Sequence, residues 1–177
     1  MAAASETSAV PDMPRWLDDR EQAAWRGLLQ MNQQLLARLN RNLVVESGVS
    51  DGDYGILVAL SEAPEQRLRA FELARSLMWE KSRLSHQLTR MERRGLVRRE
   101  ECTTDARGAF VVITDAGRTT IEAAAPRHVE HVRRWFVDAL SSQQLDALGD
   151  IVTTVLNRLD ADSEGCPEAS EMCLGEH

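Results

Sequence analysis

From about Arg15 to Glu46, apolar residues recur at three- and four-residue steps, with Trp25, Leu28, Leu29, Leu35, Leu36, Leu39 and Leu43 on one side of a helical wheel and Gly48 after the last turn. The pattern predicts a long amphipathic first helix. Ser50 stands three residues before Asp53, a capping arrangement with Asp in the usual place of Glu, ahead of the apolar run Tyr54, Ile56, Leu57 and Leu60. A shorter second helix is expected there, ending before Pro64. Arg69 to Leu77, with Phe71, Leu73, Ala74 and Leu77 inward, makes a third helix. Leu84, Leu88 and Met91 at i, i+4 and i+7 make a fourth, stopped by Gly95.

After Gly95 the period becomes extended. LVRREE and AFVVI read as strands, and CTTDARG between them carries turn residues, so a hairpin follows a helix-turn-helix. Thr114 is placed to cap the next helix, which carries Ile121, Val129, Val132, Trp135 and Phe136. Ser141 with Gln144 forms a second capping box, flanked by Leu140 and Leu145 at the positions of a hydrophobic staple. The last helix repeats Leu145, Leu148, Val152, Val155 and Leu159, close to a heptad seam. Residues 1–13 and 160–177 are small, polar or acidic without a period and are expected to be disordered tails.

The fold class that follows is mainly α with a small β-hairpin wing. A winged helix-turn-helix over 50–118 is flanked by an N-terminal dimerisation helix over 15–48 and C-terminal dimerisation helices over 119–159. Dimerisation is inferred because the first helix and the last two carry apolar stripes larger than one small domain covers. Closure into a monomeric bundle is the alternative.

Composition narrows the class. With 177 residues, 43% of them hydrophobic, the chain suits one moderate domain or a small domain with helical extensions. No apolar run approaches the ~18 residues of a membrane helix, and the N-terminal MAAASETSAVPDMP lacks the regions of a signal peptide. A soluble cytoplasmic protein with no membrane partner is expected. Cys102, Cys166 and Cys173 are odd in number and unevenly spaced, which suggests a reducing compartment.

Charge changes the picture more. The formal net charge is −7, yet residues 64–118 hold 12 basic and 8 acidic residues, a net of +4, leaving −11 for the rest. Residues 80–100, EKSRLSHQLTRMERRGLVRRE, hold seven basic residues against three acidic ones. Nucleic-acid binding depends on the local field of such a patch, and acidic flanks need not face the DNA. Opposite the apolar stripe of the fourth helix lie Ser82, Arg83, Ser85, His86, Thr89, Arg90 and Arg93, with Lys81 at its start. Arg bonds guanine O6 and N7 bidentately, and Ser and Thr reach bases or phosphates, so the mixture suits a major groove of double-stranded DNA. Arg107 at the hairpin tip, between Asp105 and Gly108 in near sequence, suits a narrow minor groove.

The order of these segments, with SDGDYGILVALSEAP, FELARSL, the basic helix ending MERRGLVRRE, and then DARGAFVVITDAG, resembles the MarR/SlyA family of bacterial transcription regulators over most of residues 15–159. Asp105, Arg107 and the Ile113-Thr114 pair followed by Gly117 fit that family's D-x-R…L-T-x-x-G signature, with Ile in place of Leu. The resemblance implies that Arg107 contacts the minor groove, that Asp105 holds the wing against the recognition helix, and that Ser82, Arg83, Ser85, His86, Thr89 and Arg90 read bases and phosphates. It also implies a homodimeric repressor of a palindromic operator, relieved by a small, often phenolic or anionic effector or by cysteine oxidation. Two departures stand in the turn MWEK, where Met78 replaces a frequent Gly and Glu80 replaces a frequent Ser, Thr or Asp cap.

For an effector, Trp16, Trp25, Tyr54, Arg75 and Trp135 are candidates for an aromatic wall and a cationic anchor. Cys102 is the redox candidate, through nearby Arg98 or Arg99. His128 and His131 have i, i+3 spacing but no further ligand pattern, so no metal or cofactor is implied. DGDYG lacks the spaced ligands of a calcium loop. There is no GxSxG, P-loop or GxGxxG, and an enzyme is not expected. The rival readings are a winged helix that holds protein, or a metal- or redox-responsive regulator.

Overall fold

The structure is a computed structural model that describes residues 14–100 and 109–164. The chain falls into two compact units, Met1–Ala37 and Arg38–His177. No helix among the described residues is long and apolar enough to cross a membrane.

Helix α1, Asp19–Ser47, begins in the first unit. The Glu21 amide donates to Asp18 Oδ1 at 2.7 Å and the Asp18 amide to Glu21 Oε2 at 2.9 Å, a reciprocal cap that starts the helix at Asp19 rather than at Arg15. The apolar stripe does extend N-terminally to Trp16 and Leu17, but the Asp18 cap sets the boundary. At the other end Gly48, at φ +66°, donates its amide to Val44 O at 2.9 Å and stops the helix where the sequence places the stop.

In the second unit, α2 (Asp51–Glu62) opens on the expected capping box, with Asp53 N donating to Ser50 Oγ and Ser50 N to Asp53 Oδ2, both at 3.2 Å. Residues Arg67–Arg69 form strand β1, followed by α3 (Ala70–Ser76), α4 (Lys81–Arg93), β2 (Val97–Glu100) and β3 (Phe110–Ile113). The strands pair antiparallel in the order β1-β3-β2, with Arg67 opposite Val112 and Val97 opposite Ile113. β1 is absent from the sequence reading, which gives Arg69 to the third helix. Three residues are too few to display a period of two, and the strand exists because β3 offers it an edge.

Helices α3 and α4 end alike. Trp79 N donates to Ala74 O and Met78 N to Arg75 O, and Leu96 N donates to Met91 O and Gly95 N to Glu92 O, two Schellman motifs. The left-handed residue is Gly95 in one, at φ +69°, and Met78 in the other, at φ +52°.

Helix α5 (Asp115–Trp135) is capped by Thr114, as expected, and α6 (Ser142–Glu164) by the Ser141–Gln144 box. α6 continues past Leu159 through residues assigned to the tail. Asp, Ser and Glu are tolerated in a solvated helix, and Arg158 pairs with Asp162 one turn on, at 3.4 Å. The rest of the proposed tails, 1–13 and 165–177, lies outside the described residues.

One core serves the sheet and the helix-turn-helix together. Ile56, Leu57 and Leu60 of α2 meet Leu73 of α3, Leu84, Leu88 and Met91 of α4, Val97, Val111 and Ile113 of the sheet and Ile121 of α5. The architecture is thus mainly helical with a small antiparallel sheet, a winged helix-turn-helix, as the pattern predicts.

Candidate nucleic-acid interface

The outer face of α4 is built by what its inner face must bury. Leu84, Gln87, Leu88 and Met91 are buried, so Lys81, Ser82, Arg83, Ser85, His86, Arg90 and Arg93 are exposed, with Thr89 half-buried at the margin. Structure and sequence agree on this division. Glu80 makes no side-chain cap; only its carbonyl serves the helix, accepting from Leu84 N at 3.0 Å. Arg83 lies over the Trp79 ring, its guanidinium carbon 4.1 Å from the centroid. Trp79 in turn packs where Gly52 leaves room, since a Cβ there would stand 3.0 Å from the indole edge.

Beneath α4 lies a polar cluster. Asp53 and Gln87 are only 3% and 7% exposed. Gln87 Nε2 donates to Asp53 Oδ1 at 2.6 Å, and Gln87 Oε1 accepts from Arg90 Nη2. Arg94 Nη1 reaches Asp53 Oδ2 at 2.6 Å while its Nη2 donates to Gly48 O at 3.1 Å, tying the end of α4 to the entry of α2. Burial raises the Asp53 carboxyl, but hydrogen bonds from Ser50 and Arg94 outweigh it and hold the group below its ordinary value. From β2, Arg99 donates to Ser85 O at 3.1 Å and Thr89 Oγ1 at 3.4 Å and pairs with Glu92 at 3.1 Å, so a wing strand adds a cation to the α4 face.

Sequence reasoning names neither Asp53, Gln87, Arg94 nor Arg99 as site residues. A signal for Gln87 was present: it is the one amide on an otherwise apolar stripe, and a buried amide needs partners. Arg94 and Arg99 differ from the other arginines only in their partners, which the local pattern does not contain.

The wing leaves the core through a tight joint. Thr114 Oγ1 donates to Gly95 O at 2.6 Å and accepts from Gly117 N at 3.0 Å. A Cβ on Gly117 would meet Leu96 O at 2.1 Å, so the first turn of α5 packs there only with glycine. Arg67 and Arg69 both lie over Phe110, at 4.9 and 5.0 Å. Asp105, Arg107 and Cys102 fall in 101–108, and Cys166 and Cys173 in 165–177, outside the described residues.

The proposed effector residues belong to two units, each described by itself. Trp16 and Trp25 are exposed in the first unit, and Arg75 is exposed on α3. Tyr54 packs on His128 with ring centroids 4.5 Å apart, and Trp135 stacks on His131 at 4.9 Å. Those two histidines line an open cavity of about 380 Å³, with Leu43, Glu46, Arg127 and Thr120 among its other walls, so Tyr54 and Trp135 back its lining. His131 Nε2 lies 2.9 Å from Glu46 Oε1 and 3.2 Å from Asn42 Nδ2. Burial pushes His128 down, Asp51 pulls it up, and His131 adds to the lowering. Burial, with the charge of Glu62, raises Tyr54.

Residues 47–108 match the family model described as MarR family. Transcriptional regulator HosA of Escherichia coli is 30% identical over 134 residues, which make up 76% of this chain and 95% of that protein. Two solved structures from Streptomyces coelicolor are similar over 84% of this chain. AbsC, a MarR family transcriptional regulator, is 44% identical with a TM-score of 0.79 and is covered over 99% of its length. Sco3205, a MarR family transcriptional regulator in complex with DNA, is 41% identical with a TM-score of 0.80, over 92% of its length.

Proposed function

The chain belongs to the MarR family of transcriptional regulators, and we propose that it acts as a homodimeric repressor that reads a palindromic operator and leaves it when a small ligand binds. The observation that carries this reading is the one-signed outer face of α4, fixed on a helix-turn-helix core. Lys81, Ser82, Arg83, Ser85, His86, Thr89 and Arg90 supply base and phosphate contacts in the major groove, and Asp105 and Arg107 set the wing tip at the minor groove.

Exposed apolar surface supports the dimer. Over residues 142–162 of α6 none is buried, and Ile151, Val152, Val155, Leu156 and Leu159 are all open. α1 likewise exposes Trp25, Leu28, Leu29 and Leu36. A lone chain seldom leaves so much apolar area uncovered, and a second copy covers it. The open cavity of mixed lining beside His128 and His131, near the aromatic rings of Tyr54 and Trp135, supports the ligand step.

Footprinting on the DNA upstream of the protein's own gene tests the reading. The expected result is two protected half-sites related by a dyad, with centres about one helical turn, ~34 Å, apart. A single asymmetric footprint contradicts the symmetric operator, and uniform weak protection contradicts sequence reading.

A further inference from the structure

We propose that Gln87 is a specificity-positioning residue. Though buried and off the DNA, it holds the guanidinium of Arg90 in the orientation that reads a base, and Asp53 fixes its amide for that task. This rests on α4 being the helix that reads DNA.

The chemistry of the three groups allows one arrangement. An ionised carboxylate only accepts, so Asp53 Oδ1 requires the NH2 end of Gln87, which it receives at 2.6 Å. The carbonyl end of the same amide must then face the other way, and it accepts from Arg90 Nη2. A reversed amide sets acceptor against acceptor at Asp53 and donor against donor at Arg90. The amide orientation is thus dictated by its neighbours, the criterion by which such groups are assigned. Asp53 itself has no freedom, because its second oxygen accepts from Arg94 at 2.6 Å and from Ser50 N at 3.2 Å, and Arg94 is tied to Gly48 O.

Burial gives this relay its rigidity. Gln87 is 7% exposed and stands among Leu84, Leu88 and Met91, where an amide without partners is costly. Arg90, by contrast, is exposed and long, and it loses much rotamer freedom when it docks. A guanidinium reads guanine through a planar fork, so fixing one edge of the fork before DNA arrives orients the remaining donors outward. Arg83 is held differently, over Trp79.

A double-mutant cycle on the full-length protein tests this, with DNA affinity measured by fluorescence anisotropy on the operator and on variants changed one base pair at a time. The reporting position is the one where substitution weakens the wild type but not Arg90→Ala. At that position Gln87→Met, which keeps the length and apolar fit, is expected to reduce discrimination about 5- to 10-fold, equivalent to about 1 kcal/mol, and to reduce it no further in the Arg90→Ala background. Asp53→Asn, which lets the amide of Gln87 turn, is expected to show the same loss and the same dependence on Arg90. Equal losses with and without Arg90 mean that Gln87 acts through packing and overturn the proposal. So does unchanged discrimination, or the absence of any position read by Arg90. A wild type that prefers no sequence refutes the operator reading beneath it, which is a different result from a wild type that discriminates through other residues.

Discussion

Met78 sits at φ +52°, the left-handed region that glycine enters without cost, and its side chain is 93% exposed. The Schellman bonds need the left-handed backbone but not this side chain, which is too exposed for packing to offset the strain. Met78→Gly is therefore expected to stabilise the protein by up to about 1 kcal/mol in urea unfolding, with relief of the left-handed strain partly offset by the entropy of glycine in the unfolded chain. His128 makes the second prediction at this scale. Its folded value lies below the ordinary 6.5, mainly through burial, so the unfolded chain takes up the proton first as pH falls. Its contribution to stability is complete above about pH 6.5 and is lost on acidification through that value. Unfolding free energies measured from pH 8 down to 5.5 should fall in the wild type and fall less in His128→Gln; parallel curves would contradict the assignment. Asp53, also depressed, loses its contribution only lower, as pH drops below the ordinary carboxylate value of 3.8. At single residues the sequence was most legible where the partner is three or four positions away, as for the caps Ser50, Thr114 and Ser141. It did not give the pairing where the partner is 34 positions away: the lone amide of Gln87 on an apolar stripe signals a need for partners, but not that Asp53 is one.

Among the elements, α4 was legible because its two faces differ so sharply in chemistry, and the same contrast sets its expected behaviour. Arg90→Ala is expected to cost roughly 1 to 3 kcal/mol at the cognate operator, and Arg107→Ala to weaken binding while flattening any preference for A·T-rich flanks. Anisotropy titrations with both variants check this, and unchanged affinity in both sinks the docking of α4 and the wing. Other elements hid for stated reasons. β1 is made by the edge of β3 rather than by its own pattern, and residues 160–162 near the end of α6 are exposed and carry no large apolar side chain to mark the helix. The start of α1 was misplaced because an apolar stripe runs across the Asp18 cap.

For the whole molecule, the question is how an acidic chain binds a polyanion. The net charge of −7 divides into a basic block over residues 64–118 and acidic flanks, and the fold gathers much of the block on α4 and the adjoining sheet. Lys81, Arg83, Arg90, Arg93 and Arg99 are exposed there. Affinity should then follow the local field and the counterions released from DNA rather than the overall charge. The effector candidates were least legible, because aromatic residues at helical spacing look alike whether they line a cavity or back its walls, as Tyr54 and Trp135 do. The most direct test of the central claim is anisotropy of the purified protein on the DNA beside its own gene, with random DNA as control, across a salt series. The expected result is tight binding that prefers the cognate DNA and weakens steeply as salt rises. Binding that is absent at low salt, or equal on both DNAs, would contradict it.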